Sequence, residues 1–432
     1  MAKKNQRIAI IKGCRTPFAK AGTHFRRLSA VDLGRIAVTE LLHRAEMRPA
    51  EIEQVVFGSV LPSPKAVNVA REISIRSGIA ASAPACTVNR ACASANEALI
   101  RAAESILLGH CTVAVVGGTE SLSDAPMLFS RELRDALQKA NRAKNSKDKL
   151  KAFAGLKLRH LRPDVPAIAE PTTGLTMGES AEKMAKENGI TREDQDAVAL
   201  RSHARAWQAE QEGHLASQLA RVYLPPAFSE WIDRDTGVRS NASADALAGL
   251  QPVFDRRYGS VTAGNSSPLS DGASALLIMS EEKAKALGYS PLGYLRSYAV
   301  AALSPADQLL MGPVYAIPKA LQRAGVAFQD IGLFEMHEAF AAQLLSNIGA
   351  MASTRFAREV LGLKVAIGEV DMESLNVCGG SIAIGHPFGA TGGRLVMTLL
   401  EEMRRRNKSL GVVTVCAAGG MGVAMVFEAG EP

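Results

Sequence analysis

One order of patterns occurs twice along this chain, and that duplication limits the folds open to it. Each half begins with a β-rich run, RIAIIKG at Arg7–Gly13 and GYLRSYAVA at Gly293–Ala301. Each continues through amphipathic helical spacing to a short apolar run, EQVVFGSVL from Glu53 and DIGLFEMHEAF from Asp330. Each then sets a Cys- or His-bearing turn before a long helix and closes on a strand with glycines, TVAVVGGTES from Thr112 and GVVTVCAAGGMG from Gly411. Strands alternating with helices require parallel or mixed sheets with helical crossovers. An order used twice predicts two similar α/β units facing each other.

The long helices can be checked by period. Ala98, Leu99, Ala102, Ala103, Ile106 and Leu107 recur at helical spacing after Cys92, with Gly109 as the stop. Leu395, Val396, Leu399, Leu400 and Met403 do the same after His386. Both reactive side chains therefore stand at or just before a helix N-terminus, where unpaired backbone N–H groups and the positive dipole end gather. The expected class is α/β, with two α-β-α layered domains related by internal duplication. The first spans residues 1–123 and is completed by 251–280, the second spans 281–432, and 124–250 forms an inserted loop domain. Within the insert, residues 130–164 are rich in Lys and Arg, punctuated by Leu150, Phe153, Leu156, Leu158 and Leu161. Such a run is either a solvated helix face or a surface that docks to an anionic membrane or a partner subunit.

Bulk properties narrow the function. The 432 residues are 47% hydrophobic and 22% charged, the balance of a globular protein with ample core. A net charge of +7 suits an anionic ligand without choosing one. Zinc-finger spacing, RNA-binding signatures and a basic zipper are all missing, which argues against nucleic acid. Cys14, Cys86, Cys92, Cys111, Cys378 and Cys416 are dispersed with no CxxC pair, which fits a reducing compartment better than a disulfide framework. The start, MAKKNQRIAIIKG, has too short an apolar run for a signal peptide, and no apolar stretch is long enough to span a membrane. A bacterial cytosol is the expected location.

Four segments carry the chemistry: NRACASANEA (Asn89–Ala98), MHEAFA (Met336–Ala341), GGSIAIGHPFGATGGR (Gly379–Arg394) and CAAGGMG (Cys416–Gly422). Cys92, flanked by small residues ahead of a helix, has the approach a covalent nucleophile needs, and a helix N-terminus with a nearby His is expected to raise its thiolate fraction. Most cysteines are instead small buried hydrophobes. His386, in a Gly- and Pro-rich turn, is the natural base near neutral pH, or else a turn cap. Cys416 ends a β-rich run, as a second reactive thiol or a buried one. His337 and Glu338 close the run LFEM, with Glu338 expected as a hydrogen-bond or salt-bridge partner. Two Cys and two His match a zinc set only in residue type: each stands alone in its own motif, without the close pairs of structural zinc sites, so no metal is expected. No GxxxxGK[ST] run supports an ATPase.

Taken together, RTPFAK, the NxxCxS around Cys92, TMGESAE at Thr176–Glu182, VTAGNSSPLSDGA at Val261–Ala273, HEAFA, GHPFGATGGR and CAAGGMG resemble the thiolase family, in family order over nearly the whole chain. The resemblance implies a thiolase-like fold and a ping-pong cleavage of 3-ketoacyl-CoA by coenzyme A, a co-substrate, with no permanently bound cofactor. Cys92 would carry the acyl group, His386 would take its proton, and Cys416 would act as acid and base. His337 would support one oxyanion site, with Glu338 beside it. The backbone N–H groups of Cys92 and Ala418 would form a second. Ser267 and Met177 match residues along the pantetheine channel. His337 stands where many members have Asn. That feature, with the basic insertion and TMGESAEKMAKE, resembles the β-subunit of trifunctional fatty-acid oxidation complexes. It implies a homodimer assembling with a hydratase/dehydrogenase α-subunit as a heterotetramer. Ala417-Ala418-Gly419-Gly420 departs from the common x-Gly-Gly-Gly, which the second oxyanion site tolerates only if φ at Ala418 is negative. The alternatives are a biosynthetic acetoacetyl-CoA thiolase and, from another class, a non-catalytic acyl-CoA carrier.

Overall fold

The computed structural model describes residues 6–61, 63–163 and 169–430. Among them are β1 (Ile8–Arg15), β2 (Ala19–Lys20), β3 (Gln54–Gly58), β4 (Ala85–Val88), β5 (Val113–Glu120), β6 (Val222–Tyr223), β7 (Trp231–Ile232), β8 (Ser270–Ser280), β9 (Gly293–Ala302), β10 (Leu333–Met336), β11 (Leu410–Ala417) and β12 (Met421–Ala429). β6 and β7 pair with each other; the rest share one sheet, with β2 beside β8.

The duplication is visible in that sheet. β1 and β9 pair antiparallel at Ile8–Ile10 and Gly293–Leu295. Outward from this joint one half runs β1, β8, β5, β3, β4. The other runs β9, β12, β11, β10 and then Leu375, bridged to Phe334. Strand directions match step for step: two antiparallel pairings, then two parallel ones.

The helices explain why both halves fold this way. Helices Ser94–Leu107 and Thr391–Arg405 form a shared middle layer. Leu99, Ile106, Leu395 and Leu399 pack there against Val116 and Ile278 of one half and Val415 and Met425 of the other. Alternate residues of the same strands face outward. Val113 and Val115 meet helix Ala30–Arg44, while Ala424 and Val426 meet helix Gly312–Ala324. Strands covered on both faces read as continuous apolar runs, which is the pattern seen in VAVV and GVVTV. The predicted stop at Gly109 is also present: that helix ends at Leu107, and Gly109 takes φ +77°.

The two middle helices approach unusually closely. A Cβ on Gly392 would lie 2.0 Å from Asn96 Oδ1, and one on Gly393 would lie 2.3 Å from Ser274 Oγ. Small residues here allow both helix N-termini, and the turns that precede them, to converge. The segment between the halves is anchored by a buried bidentate pair, in which Arg15 Nη1 and Nη2 donate to Asp235 at 2.7 and 2.8 Å.

Gly392→Ala is expected to destabilise the protein by about 1–3 kcal/mol through overpacking. A lowered midpoint in thermal or urea unfolding checks this, and an unchanged midpoint would show that the crossing has slack.

Candidate active site

Cys92 sits on a turn wired by side chains. Asn89 Oδ1 accepts from Ala91 N–H at 2.9 Å, and Ser94 Oγ accepts from Arg90 N–H at 2.9 Å while donating to the Ala91 carbonyl at 2.6 Å. These bonds hold Ala91 at φ +46°, a left-handed conformation that costs a non-glycine about 1–2 kcal/mol. Strain of this kind is kept where a side chain must be presented. Here it places Cys92 on the wall of a cavity of about 130 Å³ shared with His386, Cys416, Ala418, Ser267 and Met177.

His386 comes from the other half, on the turn between helices Ser381–Ile384 and Thr391–Arg405. Its Nδ1 lies 2.6 Å from Thr391 Oγ1, which also has the Pro387 carbonyl at 3.1 Å. With the hydroxyl proton on that carbonyl, Thr391 accepts from Nδ1–H and leaves Nε2 a bare lone pair, an assignment drawn from the hydrogen-bond network. His386 Nε2 has no protein partner among the described residues. His337 follows β10, and its ring centroid is 4.1 Å from that of His386. One donor atom each of Cys92, His337 and His386 lies within 4.8 Å of the other two.

Electrostatics leave the site neutral at rest. Burial pushes the Cys92 thiol up to about 12, outweighing the backbone N–H groups of Cys92 and Ala418 that donate to its sulfur, and Glu120 adds a smaller upward push. Cys92 as a residue is half-buried, but its thiol is packed among protein atoms. Burial, assisted by Arg394, takes His386 down to about 3. It also takes His337 well below the usual imidazole value, with His386 and Arg394 adding to the effect. Cys416 is raised by burial and then by Cys92. The expected gain in thiolate is therefore corrected: desolvation of the sulfur exceeds what the helix N-terminus returns. A neutral thiol beside a neutral imidazole is an arrangement that general base catalysis can use.

The departure at Ala418 carries no strain. Positive φ falls on Gly419 (+85°) and Gly420 (+69°) and not on Ala418, whose N–H points at the Cys92 sulfur. Ser267 and Met177 line the cavity, Met177 as the first residue of a helix capped by Thr176. Glu338 does not line it. Its carboxylate accepts from Ser202 Oγ at 2.7 Å, Asn376 Nδ2 at 2.6 Å and Ile382 N–H at 3.3 Å, tying the insert helix Arg192–Gln211 to the segment that leads to His386.

Sequence reading missed the groups that hold these parts in place. Buried Glu120 accepts from the backbone N–H groups of Val60, Leu61 and Gly389, each at 3.0 Å, and so clamps the turn after His386 to the first half. Glu170 accepts from Gly419 N–H at 3.0 Å. For Glu120 the one available signal was an acid closing a strand that opens with the apolar run VAVV. Dispersal in sequence argued against a metal, yet folding gathers Cys92, His337 and His386, so spacing alone did not bear on that question. A second cluster, His214, Cys378 and Glu402, is occupied by Arg405, which contacts both His214 and Glu402.

The thiolase N-terminal domain model matches residues 8–282, and the thiolase C-terminal domain model matches 289–429. The chain belongs to the thiolase family. It is 51% identical over 428 residues to a 3-ketoacyl-CoA thiolase of Yersinia enterocolitica, covering 99% of this chain and 98% of the relative. A 3-ketoacyl-CoA thiolase of Shewanella halifaxensis is 49% identical, over 98% and 97% of the two chains. Among solved structures, the Bacillus anthracis acetyl-CoA acetyltransferase superposes with a TM-score of 0.85 at 32% identity, covering 98% of this chain and 99% of the other. Human mitochondrial 3-ketoacyl-CoA thiolase in complex with CoA gives 0.82 at 30%, over 98% of each chain. As a thiolase the protein is an acyltransferase, of a family whose substrate is CoA.

Because the Cys92 thiol is raised, its alkylation by iodoacetamide should climb with pH through 8 to 10 without a plateau, followed peptide by peptide to separate it from exposed Cys86. A rate already level below pH 7 would mean a preformed thiolate–imidazolium pair.

Proposed function

We propose that this thiolase cleaves 3-ketoacyl-CoA with free CoA, yielding acetyl-CoA and a shortened acyl-CoA in fatty-acid degradation. The observation that carries this reading is the convergence of Cys92 with a lone-pair-bearing His386 on a cavity that also holds the second thiol of Cys416. The names of relatives about half identical from end to end support the substrate class.

In this mechanism His386 Nε2 takes the Cys92 proton as Sγ adds to the 3-keto carbon. His337 stabilises the oxyanion. The bond between the α- and 3-carbons breaks, Cys416 protonates the departing acetyl-CoA carbanion, and the acyl group stays on Cys92 as a thioester. Free CoA gives its thiol proton to the Cys416 thiolate and attacks that thioester. The second oxyanion lies on the N–H groups of Cys92 and Ala418, and Cys92 leaves, recovering its proton from His386. Negative oxygen develops twice, so fixed donors at those two points lower the barrier more than diffuse positive charge does. Apolar Leu310 and Phe340 on the cavity wall suit the acyl chain, and Ser267 and Met177 suit the pantetheine arm.

One edge and one surface support the proposed assembly. β4 is the outermost strand of the first half and bears exposed Cys86, an edge suited to a twofold mate. The homodimer then joins hydratase/dehydrogenase subunits as a heterotetramer, in a bacterial cytosol. The domain division is 1–123 with 251–280, 124–250 and 281–432. The basic segment 130–164, whose final residue lies outside the described ones, sets Leu150, Leu158 and Leu161 in solvent among its lysines and arginines. An apolar-studded basic face of this kind fits an anionic membrane surface. No helix of the described residues is long and apolar enough to cross a membrane.

CoA-dependent cleavage of 3-ketoacyl-CoA of several chain lengths tests the activity. Cys92→Ala is expected to lose turnover and the acyl-enzyme seen by mass spectrometry; an acyl-enzyme retained on the variant would remove the assignment. A strict preference for acetoacetyl-CoA would favour the biosynthetic thiolase instead, and CoA binding without turnover would favour a carrier. Reversing charges between Lys139 and Arg162 should weaken sedimentation with anionic vesicles and spare turnover in solution. Unchanged sedimentation would refute the membrane contact.

A further inference from the structure

Read as base and oxyanion donor, the two site histidines need different ring atoms free: His386 a lone pair on the cavity wall, and His337, which does not line that cavity but lies beside Cys92 and His386, a proton. His386 acquires its lone pair through Thr391, as described above. His337 is held differently. Its Nδ1 lies 3.0 Å from Ser381 Oγ, and the same oxygen lies 3.1 Å from Arg394 Nη2. A guanidinium has donors and no acceptor, so Arg394 gives its proton to Ser381. Among the described residues the Ser381 hydroxyl has no further hydrogen-bond partner, which leaves His337 Nδ1 as the acceptor for its own proton. A bare Nδ1 puts the ring proton on Nε2, and that atom has no protein partner among the described residues.

Behind Ser381 the chain of contacts continues. Arg394 is wholly buried, and the equally buried Glu335 carboxylate lies 3.8 Å from its Nη1. Glu335 is the acidic group that faces this guanidinium; burial pushes its carboxyl up to about 8, and Arg394 pulls it back down. Glu335 precedes His337 by two positions at the end of β10, so the strand's alternation directs both side chains to one face. Arg394 is the last residue of GHPFGATGGR, and neither it nor Glu335 lines the cavity.

We propose that Ser381, Arg394 and Glu335 form a positioning relay that fixes His337 as an Nε2–H donor, so that the two histidines of one site are locked in opposite tautomers. The proposal rests on the reading of His337 as an oxyanion donor given above. The relay is directional because Arg394 can only donate: if Nδ1–H donated as well, the Ser381 oxygen would accept twice and its own hydroxyl proton would be left without an acceptor. A histidine of the wrong tautomer keeps its place and loses its function.

The test uses the full-length enzyme with ¹⁵N-labelled histidine. Long-range ¹H–¹⁵N spectra report which ring nitrogen carries the proton, and the His337 signals are assigned by their absence in His337→Asn. The wild type is expected to show His337 protonated at Nε2 and His386 at Nδ1. Ser381→Ala, which removes one oxygen from the interior, is expected to lose the fixed Nε2–H form. Its kcat should fall by roughly tenfold or more, with KM within about twofold. In a His337→Asn background the same Ser381→Ala change should cost nothing further, since the relay acts only through that imidazole. A wild-type His337 protonated at Nδ1, an Nε2–H form that survives Ser381→Ala with full kcat, or additive losses in the double variant would each overturn the relay. If His337→Asn alone keeps wild-type kcat, the failure lies in the oxyanion reading of His337 itself.

Discussion

The close crossing of two helices governs this molecule. Helix Ser94–Leu107 belongs to the first half and Thr391–Arg405 to the second, and glycines at 392 and 393 let the second settle against Asn96 and Ser274 at distances no other side chain allows. Their N-termini converge, and the turn before each brings its reactive group with it. Cys92 and His386 therefore meet from positions almost three hundred residues apart without any loop spanning the gap. Internal duplication makes the arrangement natural, because the same helix of each repeat supplies the same layer.

Burial is the second constraint, and it sets the chemistry. The thiols rise and the imidazoles fall, so the resting site carries no charge of its own. The groups that brace it sit one step back. Glu120 clamps the turn after His386, Glu338 braces the segment ahead of it, and Arg394 with Glu335 stands behind Ser381. Desolvated surroundings strengthen any fixed dipole, so backbone N–H groups at Cys92 and Ala418 gain weight that they would lack in water. Surroundings of this kind favour an oxyanion that appears only during reaction.

Much of the fold was legible because periodicity is local. The apolar positions from Ala98 to Leu107 and from Leu395 to Met403 mark the two middle helices, and the runs VAVV and GVVTV mark strands covered on both faces. The repeated order foreshadowed the matching strand directions of the two halves. Cys92 and His386 were legible as reactive types in small-residue turns and Cys416 as one at the end of a β-rich run, and all three meet on one cavity. The ionisation of Cys92 was not, because a helix N-terminus can be read from sequence while the extent of desolvation cannot. Ala418 was a question of backbone angle, and only the chain path assigns the positive φ values to Gly419 and Gly420.

The groups that orient the site were hidden for a related reason. Thr391, Ser381, Glu335 and Arg394 are ordinary residues in their own segments, and their meaning lies in which neighbour they reach across the core. Sequence by itself determined the repeated α/β architecture and the inventory of reactive side chains, since both depend on spacing along the chain. Tertiary structure decided which atoms face one another, which nitrogen of each histidine is free and which groups stay neutral, since these depend on distances across the fold and on the exclusion of water.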